Sequence, residues 1–107
     1  MSWPASNFKK ALRTSREAGN SRNVADQLIN IGLAAKGKKE YTTAANYFAS
    51  ALNYSCSIDY VEGVLYSREQ LRQALALDCR HGDIHPIERD VIRRHPRFSS
   101  LLMARRW

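Results

Sequence analysis

The sequence predicts an all-α fold of about five helices, packed as antiparallel hairpins with a divergent C-terminal cap. Three observations predict it. Apolar residues recur at spacings of three and four along most of the 107-residue chain, the period of an amphipathic helix. Five Gly and three Pro leave room for long regular elements, and no run alternates β-branched with polar residues as a strand would. The chain also matches itself when shifted by 40 residues: Phe8 falls on Phe48, Ala11 on Ala51, Leu12 on Leu52, Val24 on Val64, Ile31 on Leu71 and Ala34 on Ala74.

The first helix is expected over residues 7–19, "NFKKALRTSREAG", ending at Gly19. The second carries Val24, Leu28, Ile31 and Ala35 on one stripe. Ser21 is its expected N-cap, and Gly37 is the expected left-handed C-cap. A basic turn, "GKK", leads into a third helix from about Glu40, with Tyr41, Ala44, Phe48, Ala51 and Leu52 on one face. "SCSIDY" reads as the next break, with Asp59 as the N-cap of a fourth helix that uses Val61, Leu65, Leu71, Ala74, Leu75 and Leu77. Beyond it, Pro86 fits the first turn of a short helix to about Arg94. Pro96 blocks simple continuation, and "RFSSLLMARRW" offers a last turn or two. The small residues have a packing reason: Gly32 and Ala44 let two helices approach to 8–10 Å, Ala51 accepts the next hairpin, and Tyr41, Phe48 and Leu52 fill the space between layers.

Length and a hydrophobic content of 44% fit a single domain over residues 1–107 with a modest core. No apolar run approaches the roughly 18 residues of a membrane span. The N-terminal segment lacks the apolar stretch of a signal peptide, although its basic, acid-poor character is shared with organelle transit peptides. Cys56 and Cys79 make no disulfide framework and read as thiols of a reducing compartment. A cytoplasmic location follows, with an organelle matrix as the alternative. The net charge of +7 is uneven, with a near-neutral middle between basic ends. Such a balance suits an acidic partner or a polyanion.

Residues 25–58 resemble a tetratricopeptide repeat, a helix–turn–helix unit of 34 residues. Leu28 stands where the family usually has Trp, and Ile31 and Gly32 take its Leu-Gly positions. Tyr41, Ala44, Phe48 and Ala51 take the positions of its second helix. Ala35 and Cys56 depart from the family pattern, replacing an aromatic residue and a closing Pro. The resemblance covers residues 8 to 77 and implies a half-repeat helix at 7–19, a full repeat at 21–56, a degenerate repeat at 59–95 and a basic tail at 96–107.

That resemblance implies a peptide-binding groove on the first helix of each hairpin. Its residues would be Asp26, Ile29, Asn30, Leu33 and Lys36, then Tyr66, Glu69, Gln70 and Gln73. Asn30 resembles the asparagine of the carboxylate-clamp subclass, but Glu69 and Gln70 stand where its basic partners would be, so chaperone C-terminal tails are not the expected ligand. A solenoid hairpin buries its faces against neighbours. Trp3, Phe8 and Leu12 are therefore the expected assembly face, covered by a second copy, by a partner subunit or by the chain's own tail.

Chemistry-bearing patterns are sparse. Cys79, His81 and His85 are zinc-ligand types, but C-x-H-x3-H is no standard spacing and Gly82 and Pro86 mark a loop. No nucleophile stands beside a base in an activating context, and no glycine-rich phosphate loop exists. The expectation is a non-enzymatic adaptor or scaffold subunit with no cofactor and no metal. The alternative is a basic nucleic-acid-binding factor of a ribonucleoprotein. It would use Lys9, Lys10, Arg13 and Arg16 at one end and Arg93, Arg94, Arg97, Arg105 and Arg106 at the other, with Trp107 able to stack on a base.

Overall fold

The computed structural model describes residues 21–103, and among them the fold is all-α. Helix α1 spans Ser21–Gly37, α2 Tyr41–Ser57, α3 Val61–Leu77, α4 Ile84–Arg94 and α5 Ser99–Met103. Short 3-10 turns, His81–Asp83 and Pro96–Phe98, precede α4 and α5. The segment 7–19 lies outside the described residues.

The first three helices are each 17 residues long, and all three end in the same closure. The N–H groups of Glu40, Tyr60 and Arg80 donate to the carbonyls of Ala35, Ser55 and Leu75 at 2.9, 2.9 and 2.7 Å. Those of Lys39, Asp59 and Cys79 donate to Lys36, Cys56 and Ala76 at 3.0, 3.2 and 3.1 Å. This is a Schellman closure, which needs a left-handed residue at its hinge. Lys39, Asp59 and Cys79 supply it at φ of 64°, 57° and 57°. The residue that closes one helix opens the next: the carbonyls of Glu40 and Tyr60 accept from Ala44 and Val64 at 2.9 and 3.0 Å. A connection this tight reverses the chain at once, so neighbouring helices run antiparallel.

Three expected caps are corrected, the last two of them by this junction. Ser21 is already helical. Gly37 is the last residue of α1, and the left-handed position falls on Lys39 because the closing bond from Glu40 reaches back to Ala35. Asp59 is the hinge of the preceding closure rather than the cap of α3, and the boundary residue Tyr60 makes no side-chain cap bond.

Helices α1 and α2 pack along their length, as do α2 and α3, while α1 and α3 lie side by side in front of α2. At the first crossing the ring of Phe48 lies on Gly32, and a Cβ there would sit 2.6 Å from it. At the second, a Cβ on Gly63 would sit 2.6 Å from both the Ser55 hydroxyl and the Tyr60 ring. Phe48, Leu52, Leu71, Leu75, Ala44 and Ala51 are completely buried around these contacts. Tyr41, expected among them, is only half-buried. Val91, Phe98 and Leu102 extend the same core, so the first part of the expected tail is packed structure.

Candidate functional site

Because α1 and α3 lie side by side, four of the groove residues named from the sequence, Lys36, Glu69, Gln70 and Gln73, meet. Lys36, in the last turn of α1, donates from Nζ to Gln70 Oε1 at 3.0 Å and to Gln73 Oε1 at 2.6 Å, both on α3. Gln73 Nε2 in turn donates to Glu69 at 3.2 Å, and Arg72 pairs with Glu69 at 2.9 Å. The result is a polar strip across two helices. Leu33 is half-buried beside it, Asn30 is exposed, and Tyr66 keeps 45% of its surface in solvent.

Two of the expected groove residues are placed differently. Ile29 is 6% exposed and belongs to the core, because positions 25, 29 and 32 form the packed stripe of α1. Asp26 accepts a 3.0 Å hydrogen bond from the Tyr60 hydroxyl, and the Arg22 guanidinium sits 5.1 Å from the centre of the same ring. Burial first, and then this bond to Asp26, push the Tyr60 phenol above its ordinary value. Asp26 therefore fixes the α2–α3 junction to α1. Tyr60, Arg22 and Arg72 were not named from the sequence; the 34-residue separation of Asp26 and Tyr60 carries no local signal.

The second hairpin is built differently from the first. Helix α4 meets α3 sparsely, and between them lies an open cleft of about 780 Å³. Within it Arg68 Nε pairs with Glu88 Oε2, their side chains 10% and 14% exposed. On the 40-residue shift these two stand where the first hairpin has Leu28 and Phe48, and Arg72 stands where it has Gly32.

The described part of the expected basic surface is largely neutralised. Arg93 and Arg94 both pair with Asp90. Arg97 reaches Asp59 Oδ1 at 2.6 Å and the Cys56 carbonyl at 2.7 Å. A cation at the C-terminal end of α2 also complements its dipole, so Arg97 fastens the C-terminal segment to the α2–α3 junction. Trp3, Phe8, Leu12, Lys9, Lys10, Arg13, Arg16, Arg105, Arg106 and Trp107 lie outside the described residues.

Among the described residues no group of three His, Cys, Asp or Glu side chains is arranged to hold a metal ion. Both thiols are free, Cys56 buried and Cys79 exposed. Burial pushes the Cys56 thiol up to about 11, partly offset by Arg97. No described helix is long and apolar enough to cross a membrane. Comparison with models of known protein families, with curated proteins and with solved structures found no match.

Proposed function

We propose that the chain is a non-enzymatic adaptor, a small tetratricopeptide-like scaffold whose α1–α3 face binds another protein. The observation that carries this reading is the strip at Lys36, Gln70 and Gln73, flanked by exposed Tyr66 and Asn30 and by Leu33. An aromatic anchor beside pre-positioned amide and ammonium groups is what peptide and subunit interfaces use. The strip is held from two helices, so it is rigid before any partner arrives. Cross-linking mass spectrometry of the full chain in cell extract, beside a Leu33→Asp, Tyr66→Asp variant, tests it. Partners whose cross-links map to α1 and α3, and which the variant loses, are expected. An unchanged cross-link set would remove this face from consideration. The same proposal includes coverage of Trp3, Phe8 and Leu12 by a second copy or a subunit. Sedimentation that is monomeric and indifferent to Phe8→Asp with Leu12→Asp would end that part.

One observation favours a second reading, a nucleic-acid-binding factor. Lys9, Lys10, Arg13, Arg16, Arg105 and Arg106, against Glu17 alone, place +5 of the net +7 in residues 1–20 and 104–107. Residues 21–103 are left with +2. Polyanion binding would therefore come from the ends. A titration with RNA over a salt series checks it, since counterion release makes such affinity fall steeply with salt. No binding at low salt would remove the reading.

A further inference from the structure

The cleft between α3 and α4 follows from three side chains. In the first hairpin the Phe48 ring lies directly on Gly32, which draws the two helices together. At the matching positions of the second hairpin stand Glu88 and Arg72, and both line the cleft. An arginine removes the space that glycine leaves for a ring. A carboxylate paired with Arg68 has no reason to press on an apolar surface, and burying such a pair further would cost more desolvation than it returns. The hairpin is thus held open by its own residues.

The open space has a defined chemistry. Its apolar side is formed by Ile92, Leu102 and Met103, the last 48% exposed. Its rim carries His81 in the 3-10 turn and His85 and Arg89 on α4, with the Arg72–Glu69 pair on α3, and Arg89 forms no ion pair among the described residues. Along α3 the cleft runs from Arg68 to Ala76 and along α4 from Ile84 to Ile92, roughly 12 Å at about 1.5 Å per residue, or about two helical turns. Its volume lies within the span of ligand clefts.

We infer that this cleft docks an acidic amphipathic helix of a partner protein, with its apolar stripe on Ile92, Leu102 and Met103 and its carboxylates toward Arg89 and the two histidines. Charge decides the occupant. The chain's own segments outside the described residues carry six cations against one acid, and a second copy brings +7, so neither brings the acidic excess that Arg89, the arginine of the lining left without an ion pair, would attract. An acidic helix is attracted to it, and lying between two helices it buries its apolar face as helix-in-groove complexes do. This surface goes beyond the adaptor reading of the α1–α3 face and rests on that reading only in taking the ligand to be a protein.

The test uses the full chain and two labelled four-turn synthetic helices. Both have a leucine stripe, flanked by glutamates in one and by lysines in the other. Fluorescence anisotropy is expected to show binding of the glutamate helix and binding about tenfold weaker or worse for the lysine helix. Arg89→Glu, an exposed change that leaves the packing intact, is expected to reverse that preference. The triple variant Arg68→Leu, Arg72→Gly, Glu88→Phe gives the second hairpin the residues of the first; it is expected to melt no lower than wild type and to lose the glutamate helix. Leu33→Asp with Tyr66→Asp is expected to leave peptide binding unchanged, which separates this site from the α1–α3 face. Equal affinity for the two helices, an unaffected Arg89→Glu variant, or displacement of the peptide by unstructured RNA would overturn the proposal.

Discussion

The two hairpins each begin with a 17-residue helix that ends in the same closure, and still reach different ends. In the first, glycine faces phenylalanine, and α1 and α2 close on each other over a completely buried ring. In the second, arginine and glutamate take those places, and α3 and α4 stand apart around a cleft. Backbone geometry at the junctions, with three Schellman closures hinged on Lys39, Asp59 and Cys79, sets the direction of each helix. The side chains that face each other one or two turns away differ, Phe48 over Gly32 in one hairpin and Glu88 beside Arg68 in the other. One hairpin therefore provides stability, and the other keeps a surface free.

The largest effect should come from the closed hairpin. Phe48→Ala removes a fully buried ring and leaves a cavity over Gly32; a loss of about 3–5 kcal/mol is expected in chemical denaturation. A loss below that of an ordinary surface change would mean that the first hairpin is not the stable unit. Gly32→Ala attacks the same contact from the other side. Its Cβ would lie 2.6 Å from the Phe48 ring, and a loss of roughly 1–3 kcal/mol is expected from overpacking. The matching Arg72→Ala should cost less than about 1 kcal/mol, because its ion pair with Glu69 is 40% and 52% exposed. Equal penalties at positions 32 and 72 would break the comparison.

The cysteines sharpen it further. Cys79, exposed on a hinge, should react with a thiol reagent in the folded chain, whereas Cys56, at 0% exposure, should react only as the protein unfolds. Burial raises the Cys56 thiol from 9.0 to about 11, so the folded state holds its proton more tightly than the unfolded state. Stability from this group is full below pH 9 and is lost as pH climbs from about 9 toward 11. A Cys56→Ala variant should flatten that alkaline limb; an unchanged limb would assign it elsewhere. The smallest effect belongs to the hinges. Lys39→Gly relieves a left-handed φ of 64° and should stabilise by up to about 1 kcal/mol. Asp59→Gly should gain less, since it also removes the partner of Arg97. Thermal melts of the two single variants compare them directly.

Much of this fold was legible in the sequence. The 3.6-residue periodicity located α1, α2 and α3 within a residue or so, whereas the 40-residue shift was read only for its matches, and the mismatch of Phe48 with Glu88 gained its meaning from the structure. The hinge residues were not legible, because lysine and cysteine are poor left-handed formers and Asp59 reads equally well as a helix cap; the closing bonds of Glu40, Tyr60 and Arg80 impose that conformation. Ile29 was misplaced because groove positions came from a repeat pattern rather than from the packed stripe that also holds Ala25 and Gly32. The meeting of Lys36 with Gln70 and Gln73, and the anchoring of Arg97 on Asp59, depend on how α1 and α3 sit against α2, which no local spacing encodes.

Native-state hydrogen exchange of the full chain tests the inequality of the hairpins most directly. Amides of α1, α2 and α3 should exchange together, near the global unfolding free energy, because they share the core around Phe48, Leu52 and Leu71. Amides of α4, standing across the cleft from α3, should exchange through a separate opening of lower free energy. Protection of α4 equal to that of α1 and α2 would contradict the account, because the second hairpin would then be as closed as the first.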